Sequence, residues 1–264
     1  MKRWLGLILV LVAAPSFAIF TNGGFETNSF AGWTKTIGTN PGLTGAPPFN
    51  GTNIVVGAGG SDTSAIVGAG VDALAPLLVL PRVGSFTARV NDSANGAIIN
   101  SIKQSAPITA ADRDPSDSLL HVRFSYAAVL EDPGHSPDIQ PYFYVVVRNL
   151  TKATIVYQDF TYSNQPGKTF LTGPSGWLYT NFINVDVVIP DLDLGDTIEI
   201  ETLAADCAAG GHGGYVYLDG FGSAVVGPGG PQGVVAVPTL SEMALYLLIA
   251  MTLGAALLKL RRKV

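Results

Sequence analysis

The chain has little cysteine. Cys207 is the single one in 264 residues, so no internal disulfide holds the fold and no four-thiolate zinc site can form. Charged residues are sparse at 13%. No long window between residues 19 and 236 repeats apolar side chains at helical spacing, which argues against a helical bundle. No internal repeat stands out, which argues against a solenoid or propeller. Basic residues are scarcest in the middle of the chain. The formal net charge is −5, but the two ends hold six of the fifteen basic residues and one of the twenty acidic ones. Nine basic and nineteen acidic residues remain between them, a net of −10. That balance speaks against nucleic acid and anionic lipid surfaces as partners. It suits divalent cations and neutral polysaccharide.

What the chain does carry is two distinctive ends. Lys2 and Arg3 form a basic start, Trp4 to Ala14 an apolar run, and Ser16-Phe17-Ala18 puts small residues at the positions that signal peptidase reads. Residues 1–18 therefore read as a secretory signal peptide, cut after Ala18. At the other end Met243 to Leu258 is apolar, and Lys259 can snorkel, extending the reach to Leu260. A transmembrane helix over about residues 243–260 is expected, at the short end of what spans a bilayer. Arg261, Arg262 and Lys263 follow and keep the C-terminus cytoplasmic.

The tail Val237-Pro238-Thr239-Leu240-Ser241-Glu242, then the apolar span and the basic cluster 261–263, resembles the IPTL-CTERM sorting signal. That signal is a relative of PEP-CTERM in Gram-negative bacteria. The chain departs from the pattern at Val237, where Ile is usual, and at Met243, where an aromatic often stands. The resemblance covers about a tenth of the chain. It implies an exosortase-type membrane protease as partner, a cut near Pro238-Thr239, and a transient inner-membrane anchor. The destination would be the cell surface or extracellular matrix.

Between the ends, residues 19–226 are long enough for one β domain with a real core, and the Gly/Pro-rich residues 227–236 read as a linker. Apolar and polar residues alternate in HVRFSYA, PYFYVVVRNL, TIVYQDFTY, YTNFINVDVVIP, TIEIETL and GYVYLDGF. The alternation turns Val122, Phe124 and Tyr126 one way and His121, Arg123 and Ser125 the other. It likewise sends Ile198 and Ile200 inward and Glu199 and Glu201 to water. Turn sequences at Asp132-Pro133-Gly134, Asn164-Gln165-Pro166-Gly167, Gly173-Pro174-Ser175-Gly176 and Leu194-Gly195-Asp196 separate these runs. The expected fold is all-β, an antiparallel β-sandwich. Long loops with short strands are expected from Gly38 to Gly84, with one helical turn near Asp72 to Leu78.

Asn22-Gly23-Gly24-Phe25-Glu26, followed by Gly32-Trp33, resembles the opening of jelly-roll, galactose-binding-like and carbohydrate-binding modules. In those modules the last strand carries an aromatic-x-Asp motif, here Tyr217-Leu218-Asp219. The resemblance implies a jelly roll and a structural calcium site where Glu26 and Asp219 meet, with Asn22 or Asn28 adding an oxygen. The plain alternative is that both carboxylates cap turns. A further resemblance joins Phe124 through His135 and Gln140-Pro141-Tyr142-Phe143 to Asp206-Cys207 and Gly210 through Asp219. This "EDPGH" and "DCxxGGHxGY" pair is similar to an uncharacterised extracellular β-domain of bacterial surface proteins. It implies a fold and a location but no reaction.

The stretch ADCAAGGHGGYVYLDGFG, residues 205–222, allows three readings. Cys207 and His212 with Asp206 or Asp219 could act as nucleophile, base and orienter. An acidic β setting does not favour the thiolate, however, so the protein is read as no enzyme. Cys207, His212 and His135, with Asp206 nearby, could hold a transition metal. The reading preferred here is a loop lock, in which Asp206, Cys207 and His212 pin their loop against the one containing His135. For function, Trp177, Tyr179 and Trp33 are candidate glycan platforms, with Tyr142, Tyr144 and Tyr162 behind them; the alternative is that they are core. Two classes compete: an exported glycan-binding adhesion module, and a structural coat or matrix protein stabilised by calcium without a sugar ligand.

Overall fold

The computed structural model describes residues 19–221. The signal (1–18), the linker (227–236), the sorting motif (237–242) and the expected membrane helix lie outside the described residues. Among the described residues no helix is long and apolar enough to cross a membrane.

Fourteen strands follow in order: β1 (Thr34–Thr39), β2 (Ala65–Val67), β3 (Gly70–Val71), β4 (Val79–Leu80), β5 (Thr87–Val90), β6 (Ile98–Pro107) and β7 (Leu120–Glu131). Then come β8 (Tyr142–Asn149), β9 (Thr154–Tyr162), β10 (Leu171–Thr172), β11 (Trp177–Tyr179), β12 (Ile183–Ile189), β13 (Thr197–Ala205) and β14 (Gly214–Asp219). The first sheet runs β1-β6-β13-β8-β9. The second runs β10-β11-β7-β14-β5-β2, with β12 also on β7. Strands β3 and β4 form a separate ribbon.

Within these sheets, β5-β14-β7-β12 faces β6-β13-β8-β9. The chain changes sheet at every step of that set except the β8–β9 hairpin. Such winding is a jelly roll. Both β11 and β12 pair with the same edge of β7, at Glu131 to Val129 and at Tyr126 to Leu120. At the break between them Thr180 Oγ1 accepts the Ala128 N–H at 2.9 Å, so β7 loses no hydrogen bond there.

The alternation read from the sequence fixes the core. Val122, Phe124, Tyr126, Ala128 and Leu130 of β7 meet Phe143, Val145 and Val147 of β8 and Ile198 and Ile200 of β13 between the sheets. One end is closed by aromatics: Phe25 lies 5.2 Å from Trp33, and Phe221 lies 5.7 Å from Phe124. Gly23 allows this closure, because a Cβ there would stand 2.5 Å from the Phe221 Cβ.

Each sheet also buries part of its outer face under a loop. On the first sheet, Leu43 and Phe49 cover Ile99, Tyr142, Tyr144, Phe160 and Leu203. On the second, Ala75, Leu78 and Leu80 cover Val129, Trp177, Tyr179, Tyr215 and Tyr217. The helical turn expected over Asp72 to Leu78 is instead two successive turns. They are closed by hydrogen bonds from Ala75 N–H to the Asp72 carbonyl and from Leu78 N–H to the Ala75 carbonyl. Asp72 Oδ1 draws the chain tighter than a helix by also accepting from Leu74 N–H at 2.7 Å.

Candidate functional site

The loop between β13 and β14 is built inward from Asp206. Its carboxylate is fully buried and accepts from Asn91 Nδ2 at 2.8 Å, Ile98 N–H at 3.1 Å and Gly214 N–H at 3.3 Å. Its carbonyl accepts from Asn40 Nδ2 at 2.6 Å. One side chain thus ties β6 and β14 to Asn91, the residue that follows β5. Burial pushes its pKa up to about 7 against the pull of these donors, with Asp92 adding a smaller upward push.

Cys207 is next and is 0% exposed. Its N–H donates to the His212 carbonyl at 2.9 Å, closing the loop on itself. Its Sγ lies 3.5 Å from His212 Nδ1 and accepts from Gly211 N–H at 3.4 Å. The His212 ring meets the His135 ring edge-on, 5.1 Å between centroids. The two loops are stitched by Ala208 N–H to the Ile139 carbonyl and Glu131 N–H to the Gly213 carbonyl. Gly213 must be glycine, since a Cβ would lie 2.8 Å from the Ser93 carbonyl carbon and oxygen. The side chains therefore pack as a junction of loops. Asp206, which the sequence left as a partner of Cys207 and His212, has its oxygens on Asn91, β6 and β14 instead.

Glu26 and Asp219 reach one segment, residues 82–86. Asp219 Oδ2 accepts from Arg82 N–H at 2.7 Å and Val83 N–H at 3.1 Å. Glu26 accepts from Ser85 N–H at 3.0 Å and from Phe86 N–H at 3.3 Å. Burial pushes Asp219 up to about 7, opposed by these backbone donors, and the Glu26 charge adds to the rise. Asn22 uses its side chain within its own turn. Its Oδ1 accepts from Thr27 N–H, and its Nδ2 donates to the Ser29 and Ala31 carbonyls.

The glycan-platform expectation does not hold for its named residues. Trp177 is 6% exposed, Tyr179 1% and Trp33 7%. Trp177 and Tyr179 sit under the 75–80 loop, and Trp33 closes the aromatic end of the core while its Nε1–H donates to the Asn22 carbonyl. No local pattern in these strands marks that loops cover both outer faces.

What sequence reading missed is the uncovered part of each outer face. On the first sheet, Arg148 Nη1 pairs with Glu199 at 3.0 Å and Glu201 at 2.8 Å, and Ser101 Oγ donates to Glu201. Lys103 lies 3.9 Å from Glu199, and at the border of the covered part the buried Tyr144 hydroxyl donates to exposed Gln158 at 3.1 Å. On the second, Arg123 pairs with Asp114 and Asp186, and His121 contacts Asp117 at 2.9 Å and Asp186 at 2.5 Å. The alternation in TIEIETL points Glu199 and Glu201 outward. Only strand register, which a sequence does not print, brings Arg148 and Lys103 beside them.

No family model matches the chain, and no curated protein matches it. Among solved structures, the enzymatically active domain of a bacteriophage CBA120 tailspike protein is similar over 78% of this chain, at 12% identity and a TM-score of 0.35. This chain spans about a fifth of that one, 21%. A Caldicellulosiruptor saccharolyticus carbohydrate-binding module in complex with mannohexaose is similar over 57% of this chain and 78% of its own, at 13% identity and a TM-score of 0.31. A family 11 carbohydrate-binding module from Clostridium thermocellum, in complex with a mixed-linked tetrasaccharide, is similar over 74% and 89%, at 10% and 0.29. The jelly-roll assignment therefore rests on the strand pairing itself.

Proposed function

We propose that this chain is a non-catalytic module of a bacterial cell surface or matrix, exported by its N-terminal signal and sorted by its tail. Its jelly roll would bind polysaccharide on the open part of the first sheet's outer face. The observation that carries this reading is the Arg148–Glu199–Glu201–Lys103 cluster, with exposed Gln158 at its edge and the buried Ser101 and Tyr144 hydroxyls behind it. Guanidinium, carboxylate and amide groups are planar and bidentate, and together they donate to and accept from pairs of sugar hydroxyls. The ion pairs hold them in place before a ligand arrives, which lowers the ordering cost of binding. A net acidic domain suits a neutral glycan better than an anionic one.

Catalysis is disfavoured by the same geometry. Cys207 is enclosed, and the buried carboxylates Asp206 and Asp219 accept backbone N–H groups, so none is placed to attack a substrate. The test is a polysaccharide pull-down and glycan array with purified protein, beside Arg148→Ala and Glu201→Gln. Binding that both variants lose while their melting temperature holds supports the reading. Silence across neutral glycans, or binding that both variants retain, overturns it.

A second reading, a calcium-stabilised coat protein without a sugar ligand, is favoured by the convergence of Glu26 and Asp219 on residues 82–86. A divalent ion would relieve the repulsion between these carboxylates and displace some N–H donors. Calcium raising the melting temperature, and Glu26→Gln abolishing that rise, would support it.

A further inference from the structure

We propose that His135, Cys207 and His212 form a binding site for a soft or borderline transition-metal ion, with zinc the first candidate. Their ligand atoms lie within 4.8 Å of one another, although they come from two loops more than seventy residues apart in sequence. A thiolate and two imidazoles are a ligand set that zinc accepts and calcium does not. Three protein ligands leave one tetrahedral position for water or for a group from a partner.

One observation points to a ligand beyond mutual packing, and a second shows that the sulfur is held in place for it. His135 Nε2 is shielded from solvent and has no hydrogen-bond partner, an arrangement a buried imidazole nitrogen avoids unless something else satisfies it. Gly211 N–H donates to the Cys207 sulfur at 3.4 Å and holds it 3.5 Å from His212 Nδ1, so the sulfur is already fixed beside an imidazole nitrogen. The neighbouring carboxylate is accounted for elsewhere, because Asp206 is held by Asn91, Ile98 and Gly214. The remaining set is therefore the softer one. Zinc binding would displace the thiol proton to solvent and form one Zn–S and two Zn–N bonds. Cys207 itself is fully buried, while both histidines are partly exposed, so the ion would enter from the imidazole side. The ion would clamp the 132–141 and 206–213 loops without any disulfide.

The test uses the purified protein, stripped with a chelator and titrated first with cobalt(II) and then with zinc. The expected result is a thiolate-to-cobalt charge-transfer band that zinc abolishes, together with protection of Cys207 from alkylation in the zinc-loaded protein. Cys207→Ser should lose the band. Because that variant removes a core residue, His135→Ala is the more secure control: its Nε2 makes no hydrogen bond and its ring is partly exposed, so the fold should hold while zinc affinity drops about tenfold or more. Absence of the band in folded protein overturns the proposal. So does a band and affinity unchanged in both His135→Ala and His212→Ala, since that would mean thiol binding alone.

Discussion

The Tyr217 hydroxyl donates to Asp72 Oδ2 at 2.6 Å, across 145 residues of chain. Tyr215 donates to the same oxygen at 2.8 Å, while Asp72 Oδ1 accepts from Leu74 and Ala75 N–H. One buried carboxylate thus fastens the covering loop to the last strand. Burial and the Asp72 charge raise both tyrosine pKa values, so these hydroxyls stay protonated donors.

Asp72→Ala should therefore cost about 2–4 kcal/mol, because two buried hydroxyls and two N–H groups lose their acceptor together. Urea unfolding followed by tyrosine fluorescence measures it. A loss below about 0.5 kcal/mol would mean that water replaces the carboxylate and the loop is held by Leu78 and Leu80 instead.

Gly23→Ala should destabilise the aromatic end by about 1–3 kcal/mol, since the new methyl would meet the Phe221 side chain. A double-mutant cycle with Phe221→Ala checks the cause. If the clash is the reason, the glycine substitution costs less in the Phe221→Ala background. Additive losses would point to backbone conformation instead.

These contacts mark where the sequence could be read and where it could not. Strands β7, β8, β9, β13 and β14 were legible because one face is apolar at every second residue, as in Ile198 and Ile200 against Glu199 and Glu201. Strand β6 was not, because it turns Asn100 and Gln104 inward and breaks the alternation. Asn100 joins the Asn91 network and Gln104 bonds the Thr21 and Gly32 carbonyls, contacts with residues distant in sequence. Resemblance to jelly-roll modules paired Glu26 with Asp219 at a calcium site; the structure has both accept backbone N–H groups of residues 82–86. Asp72, by contrast, carries no local sign of its two tyrosines, since an Asp before a turn is common everywhere.

Trp177 separates the core reading from the platform reading. Trp177→Ala should cost about 3–5 kcal/mol, as expected for an aromatic packed among Tyr215 and its neighbours. Polysaccharide binding per folded molecule should stay unchanged, because the ring faces the 75–80 loop and not solvent. A calorimetric melt and a pull-down on the same preparation decide it. Lost binding with an unaltered melt would restore the platform.

Stability should fall as pH rises from about 5 to about 8. Asp206 and Asp219 both stand at about 7 in the folded chain, raised chiefly by burial, against about 3.9 unfolded. The folded state thus holds protons that the unfolded state has released. The stabilisation is complete below the unfolded pKa and is lost as pH climbs through the folded one. Asp114, Asp117 and Asp193 act oppositely, because hydrogen bonds lower their pKa values, but they lose stabilisation only as pH falls below about 4. Between about pH 5 and about pH 8 the two buried carboxylates set the sign, with a combined loss of about 5 kcal/mol. Denaturant midpoints across that window test this. Asp219→Asn should flatten the slope by roughly half, because it removes one of the two titrations. A wild-type midpoint that rises with pH would mean that the backbone donors at Ile98, Gly214, Arg82 and Val83 hold both carboxylates ionised despite their burial.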